Sequence, residues 1–81
     1  MKFRFTEKAL KQYASLPAAI QKRFDKQLAF LLRDLTHPSI HAKKYHEAQD
    51  IWQGRVTRDY RFYFLITGDT YVILAITKHP K

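Results

Sequence analysis

Cysteine is absent from this 81-residue chain, which excludes both a disulfide framework and a cysteine-ligated zinc site. Long apolar runs are missing too, and the longest falls far short of the roughly 20 residues that a membrane-spanning helix needs. The opening residues, MKFRFTEKAL, lack the apolar run of a secretory signal peptide. We therefore predict a soluble, cytoplasmic protein.

Acidic residues are scarce relative to basic ones. Seven Asp and Glu oppose fifteen Lys and Arg, which gives a formal net charge of +8 and a pI near 10.0. A domain with a pI above about 9 is a candidate for nucleic-acid binding, because each phosphate that it neutralises releases counterions. An acidic protein segment or an anionic membrane would suit the same charge, so the composition predicts a polyanionic partner without choosing one.

The length allows one small domain, residues 1–81, and no second one. A hydrophobic share of 46% and an aromatic share of 15% argue against disorder. We therefore expect a folded domain with a modest core.

The first half of the chain predicts a short strand followed by two helices. Lys2–Phe5 alternates between polar and apolar residues, as a strand does. Thr6 is placed to cap a first helix that ends near Leu16, and Pro17 suits the first turn of a second helix. That second helix runs from about Ala18 to Leu35, and its apolar residues recur at helical spacing: Ile20, Phe24, Leu28, Leu31 and Leu35.

The segment from His37 to Asp50 has no clear period and is interpreted as a loop. It holds three histidines and two adjacent lysines: His37, His41, His46, Lys43 and Lys44. Pro38 breaks the helical spacing and no cysteine assists, so we expect no metal site there. The lysines extend the basic surface, and His46 could reach the active face from its loop.

Three strands follow, at Ile51–Thr57, Tyr60–Ile66 and Tyr71–Thr77, and Thr67-Gly68-Asp69 is the clearest hairpin signal. The fold class is therefore α+β. We expect an N-terminal strand and a two-helix hairpin packed on one face of a mostly antiparallel four-stranded sheet, in the order β-α-α-β-β-β.

The hairpin register decides which side chains share a face. A three-residue loop pairs Ile66 with Thr70 and gathers one wholly apolar set: Phe62, Phe64, Ile66, Val72, Leu74 and Ile76. A two-residue Gly68-Asp69 loop would mix this set with the polar one. We favour the three-residue loop, which places Arg61 near His79 on the other face, where Arg55 could join them from the neighbouring strand.

The stretch Arg55-x-x-x-Asp59-Tyr60-Arg61 and the His79 ending resemble the RelE/ParE superfamily of bacterial toxin–antitoxin toxins. The resemblance spans nearly the whole chain and implies the same fold. RelE-like members cleave messenger RNA in the ribosomal A site without a metal. ParE-like members share the fold but poison DNA gyrase and lack the nuclease residues.

The resemblance also implies roles for single residues. Arg61 matches a phosphate-contacting arginine, and Arg55 matches a basic residue of the preceding strand. Asp59 and His79 are spaced like a pair in the YafQ-like branch, and Lys81 like a second RelE arginine. The sequence departs from the RelE pattern twice: Gln53 stands where RelE-like members have lysine, and the aromatic residue beyond Lys81 is missing.

These residue types fit RNA cleavage by internal attack, which needs proton transfer and stabilisation of phosphate charge. Histidine transfers protons near neutral pH, and arginine stabilises phosphate oxygens. The predicted catalytic residues are Arg61, His79, Arg55 and Asp59. The predicted RNA-binding residues are Lys43, Lys44, His46, Tyr60, Tyr63, Lys78 and Lys81, and a tyrosine could stack on a base.

Each assignment has a structural alternative. His79 could be a polar residue near the chain end, and Arg61 could form an ion pair with Asp59 or Asp69. Asp59 suits a turn for its own backbone geometry, and Trp52 suits the core better than a stacking role.

The leading prediction is a metal-independent endoribonuclease toxin without a cofactor, partnered by an antitoxin, mRNA and the ribosomal A site. The alternatives are a non-catalytic gyrase inhibitor and an inactive relative that keeps antitoxin or RNA binding.

Overall fold

One five-stranded sheet and two helices form the fold, in a computed structural model that describes residues 1–79. The helices are α1 (Glu7–Ala14) and α2 (Ala18–Arg33), and a 3₁₀ turn covers Pro38–Ile40. The strands are β1 (Lys2–Phe5), β2 (Lys43–His46), β3 (Ile51–Arg55), β4 (Tyr60–Thr67) and β5 (Thr70–Lys78). Their order is β1-β5-β4-β3-β2, with β1 parallel to β5 and every other pair antiparallel. The predicted α+β class is confirmed.

The start of α1 follows from a single hydroxyl group. The Oγ1 atom of Thr6 accepts a hydrogen bond from the Ala9 amide at 3.1 Å, as predicted for a helix cap. The same hydroxyl donates to the Leu74 carbonyl of β5 at 3.2 Å. One residue therefore sets both where α1 begins and where it docks on the sheet.

The last turn of α1 covers an edge of β5. The pairing of β1 with β5 ends at Phe5 and Ile73. Beyond that point, the side-chain oxygen of Gln12 accepts a hydrogen bond from the Ile76 amide at 2.9 Å. A glutamine side chain thus replaces a neighbouring strand as the acceptor for this amide.

The core lies between α2 and one face of the sheet. Phe24, Leu28 and Leu31 of α2 are buried as their spacing predicts. The Phe24 ring meets the Phe62 ring of β4 edge-to-face, with centroids 5.3 Å apart. Within residues 1–79, no helix has the length and apolar character to cross a membrane.

The predicted loop from His37 to Asp50 is wrong in part, and so is the strand count of four. Lys43–His46 forms a strand, β2, that pairs with β3 at the sheet edge and makes the fifth member. The reason lies in long-range pairing, because Lys44 is opposite Trp52 and lies over its ring at 5.2 Å. An aliphatic lysine stem covers apolar surface without giving the sequence an apolar alternation.

The predicted three-residue hairpin loop is also wrong. Thr67 pairs with Thr70, so the loop is the two residues Gly68 and Asp69, and Gly68 has a left-handed φ of 60°. Ile66 consequently pairs with Tyr71 rather than with Thr70.

A β-bulge in β5 prevents this register from mixing the two faces. Phe64 pairs with Ile73 and Tyr63 with Ala75, so Leu74 is an extra residue without a partner in β4. Tyr71, Ile73 and Ile76 are therefore the core residues of β5, in place of the predicted Val72, Leu74 and Ile76. Val72 is buried but lies outside this core cluster.

No side chain fits at position 54 of β3, because the Phe62 ring occupies the space that a Cβ atom would need. A Cβ atom at this position would lie 2.5 Å from two ring carbons of Phe62, which is fully buried. We expect Gly54→Ala to lower the free energy of unfolding by about 1–3 kcal/mol through overpacking, measured by denaturant titration. The loss of unfolding free energy in the double variant Gly54→Ala/Phe62→Leu should be smaller than the sum of the losses in the two single variants. Strictly additive losses would contradict this explanation.

Candidate active site

Two arginines stand directly opposite each other on the sheet face that points away from the core. We call this the open face, and it carries Gln53, Arg55, Arg61 and Tyr63. Arg55 of β3 pairs in register with Arg61 of β4. Like charges at opposed positions destabilise a sheet, so the pair suits binding of an anion better than it suits stability.

The arginine pair lines an open cleft of ≈ 450 Å³ together with His41, Lys43 and Gln53. The three ion pairs within residues 1–79 all use lysine: Lys2–Asp69, Lys11–Glu7 and Lys44–Asp50. The cleft therefore holds concentrated positive charge that no carboxylate of the described chain neutralises by an ion pair.

His41 is the histidine that reaches the arginines. It follows the 3₁₀ turn with a left-handed φ of 50°, uncommon for a residue with a side chain. Its Nε2 atom lies 3.4 Å from Nη1 of Arg55. The sequence placed His41 only in a loop of histidines, and its positive φ left no local signal. Within the described residues, no group of three or more His, Cys, Asp or Glu side chains gathers as a metal site would require.

Gln27 of α2 holds this part of the cleft in place. Its side chain is fully buried, and its Nε2 atom donates to the carbonyls of Ser39 at 2.9 Å and Arg55 at 2.8 Å. Its Oε1 atom accepts from the Ser39 hydroxyl at 2.9 Å. One side chain thus fixes both the turn that leads to His41 and the end of β3. Sequence reasoning missed it because a glutamine on a helix usually faces solvent.

Arg61 has a structural task as well as a place in the cleft. Its Nη1 atom donates to the carbonyls of Thr57 at 2.6 Å, Arg58 at 3.0 Å and Tyr60 at 3.0 Å. These bonds close the turn between β3 and β4, and all of them use Nη1. The ion pair considered for Arg61 does not form with Asp69, which contacts Lys2 instead, nor with Asp59.

His79 and Asp59 meet one step further along the same two strands. Arg61 is opposite Thr77, and two residues later the His79 amide donates to the Asp59 carbonyl at 2.7 Å. Both residues line a second hollow with Tyr60 and Lys78. The structure thus brings Arg55 and Arg61 together in the cleft. It places His79 with Asp59 in the second hollow, two residues further along the same strands.

The other predicted RNA-binding residues are spread over several surfaces. Lys44 lies on the core side, with its ammonium group bound to Asp50 and over Trp52. His46 ends β2, where its Nδ1 accepts from the Gln49 amide at 3.3 Å. Trp52, which is not among the predicted RNA-binding residues, packs against the core as its sequence context predicts. Lys81 lies outside the described residues.

Tyr63 is the predicted tyrosine that faces the cleft side, because it pairs with Gln53 on the open face. Its ring meets Tyr45 of β2, a residue that the sequence did not single out, with centroids 4.8 Å apart. Burial raises the pKa of the Tyr63 phenol, Tyr45 adds to the rise and Arg61 opposes it. The phenol therefore stays protonated and uncharged at neutral pH.

Several solved toxin structures have the same fold. The chain superposes on the YoeB/ParE toxin from Agrobacterium tumefaciens with a TM-score of 0.83 at 15% identity, covering 99% of this chain and 100% of the other. The isolated Escherichia coli RelE toxin superposes with a TM-score of 0.80 at 21% identity, covering 99% of this chain and 85% of the other. The Staphylococcus aureus YoeB dimer gives a TM-score of 0.82 at 13% identity, covering 99% of this chain and 98% of the other. These likenesses show the fold.

Family membership comes from the sequence comparison. No curated protein matches the chain with significant sequence similarity. The family model described as the ParE toxin of the type II toxin–antitoxin system parDE matches residues 3–80. The chain therefore belongs to the ParE toxin family and is a toxin of a type II toxin–antitoxin system.

Proposed function

We propose that this toxin acts as an endoribonuclease on mRNA, with the scissile phosphate bound between Arg55 and Arg61. The observation that carries the proposal is the directly opposed arginine pair in a cleft without a neutralising carboxylate among residues 1–79. Such a pair matches a phosphate that gains negative charge during reaction, because planar guanidinium groups donate to two oxygens at once.

The reaction is internal attack of a ribose 2′-oxygen on the adjacent phosphorus. The 2′-OH loses a proton, the P–O5′ bond breaks, and the departing 5′-oxygen gains a proton, leaving a 2′,3′-cyclic phosphate. Arg55 and the unused donors of Arg61 stabilise the charge of the five-coordinate phosphorus. This division of labour lets Arg61 keep its Nη1 bonds to the turn while Nε and Nη2 face phosphate.

Histidines supply the proton transfers in this proposal. Arginine has no acceptor atom, so Nε2 of His41 is the acceptor in its contact with Arg55, and we assign the role of base to this nitrogen. His79, one step along the strands beside Asp59, takes the second transfer. Lys43 adds positive charge to the cleft for the flanking RNA backbone.

An antitoxin is the second partner in this proposal. The solved structures include the E. coli RelBE toxin–antitoxin complex and the YoeB–YefM complex of S. aureus. We extend that pairing to this chain, whose charge of +8 suits an acidic antitoxin segment. Action on mRNA at the ribosomal A site completes the proposal.

The alternative is a toxin that inhibits DNA gyrase without catalysis. The family model that matches is that of ParE, and the hydrogen bonds of Arg61 in the β3–β4 turn give this arginine a use that needs no phosphate. An inactive relative that retains antitoxin or RNA binding is the remaining candidate.

Primer extension on a reporter mRNA after induction separates these functions. We expect new 5′ ends with the wild-type toxin and none with the double variant Arg55→Ala/His79→Ala, which serves as the inactive control. Growth arrest with intact mRNA and altered plasmid supercoiling would overturn the ribonuclease in favour of gyrase inhibition. Absence of both effects would leave only an inactive relative.

A further inference from the structure

The open face carries an aromatic pair beside the arginine cleft. Tyr45 and Tyr63 meet edge-to-face at an interplanar angle of 60°. They line a shallow groove with Ile51 and Ala75, and the exposed lysines Lys8 and Lys78 line it too. The groove thus combines aromatic surface with positive charge.

The core does not account for these rings. Tyr45 is 59% exposed on an edge strand, and neither tyrosine belongs to the core cluster or to the residues packed against it. Exposing a large aromatic side chain has a cost in solubility and brings no burial in return. The pair is therefore available to a ligand that presents a flat apolar surface.

Its position relative to the arginines is set by the strands. Tyr63 follows Arg61 by two residues, so both side chains project from the same face about 7 Å apart along β4. The partner of Tyr63, Gln53, precedes Arg55 by two residues on β3. A nucleotide whose phosphate contacts the arginine pair can therefore reach the tyrosines with its base.

We propose that Tyr45 and Tyr63 form a stacking platform for an unpaired base next to the scissile phosphate of single-stranded RNA. Lys8 and Lys78 bind the phosphates that continue from that base. This inference rests on the proposed ribonuclease function and assigns the substrate as single-stranded, because a base inside a duplex has no free face to stack. Stacking on an aromatic ring strengthens binding of a base of any kind, because every base has a flat π-face.

The test uses two short RNA-like probes of equal length and charge. One is a 2′-O-methyl oligoribonucleotide of mixed sequence, which cannot be cleaved because its 2′-oxygens are blocked. The other has the same backbone with every base removed. Wild type, Tyr45→Ala and Tyr45→Phe are compared by fluorescence anisotropy at one fixed salt concentration.

We expect Tyr45→Ala to weaken binding of the base-bearing probe by about 5- to 150-fold and to leave the abasic probe unaffected. Tyr45→Phe should bind like wild type, because it keeps the ring. Since Tyr45 lies on an exposed edge, the alanine variant should stay folded, which the fluorescence of Trp52 reports.

Two outcomes would overturn the platform while sparing the proposed function. One is unchanged binding of the base-bearing probe by Tyr45→Ala, and the other is equal weakening for both probes. Failure of the wild type to bind either probe would also overturn the platform, whereas the primer extension described above tests the ribonuclease proposal by itself.

Discussion

Arg55→Ala is expected to lower the rate of RNA cleavage by about 100- to 1000-fold. Losing one preorganised donor at a developing negative charge has an effect of this size. The measurement is single-turnover cleavage of a defined mRNA on programmed ribosomes at saturating purified toxin, which separates chemistry from binding. Arg55 is a better choice than Arg61, because among the described residues its guanidinium hydrogen-bonds only with His41, whereas Arg61 also closes a turn.

The stability of Arg55→Ala should not fall with its activity. Removing Arg55 relieves the repulsion with Arg61 across the strands, so the free energy of unfolding should rise or stay within about 0.5 kcal/mol of wild type. A large loss of activity without loss of stability is the signature of a residue kept for its chemistry.

Arg33→Ala is the matched control, because it removes the same charge from an exposed position of α2. It should retain cleavage within a few-fold of wild type. Equal losses in the two variants would show that net charge alone supports activity. An active Arg55→Ala variant would remove this arginine from the proposed mechanism.

Gln27→Leu should lower the free energy of unfolding by about 2–4 kcal/mol. The change leaves the carbonyls of Ser39 and Arg55 without their donor and the Ser39 hydroxyl without its acceptor. Each buried polar group that loses its partner costs about 1–3 kcal/mol, partly offset here by the added apolar volume. Denaturant titration followed by the fluorescence of the single tryptophan measures the loss.

Cleavage by Gln27→Leu should also fall by about 10- to 100-fold under conditions where the variant is folded, because His41 and Arg55 lose their shared anchor. Gln21→Leu is the matched control on the same helix. The Gln21 side chain makes a single hydrogen bond within residues 1–79, to the Tyr13 carbonyl at 2.8 Å, and neither residue lines the cleft. If the two variants behave alike, Gln27 does not position the site.

Local sequence signals were sufficient for the first half of the fold. The Thr6 cap and the burial of Phe24, Leu28 and Leu31 depend on residues within one or two helical turns. β2 could not be found in this way. Its sequence, KKYH, lacks an apolar alternation, and it is a strand only because β3 supplies hydrogen bonds and Trp52 supplies a surface for Lys44.

The candidate site was predictable where it depends on strand alternation and not where it depends on tertiary contacts. Alternation alone places Arg55 and Arg61 on one face, and the structure has them in register. His41 needs the turn before it and a positive φ, and Gln27 acts from a helix on the other side of the sheet. Neither contact can be predicted from the residues that are close in sequence.

The extra residue in β5 bears on how this chain aligns with its relatives. Leu74 has no partner in β4, and without it Ile73 and Ala75 would continue one regular ladder with Phe64 and Tyr63. A homologue one residue shorter at this point keeps every other β5 side chain on its present face. At the low identities within this fold, a one-residue gap therefore belongs at Leu74, and an ungapped alignment that crosses it would equate core positions with solvent positions.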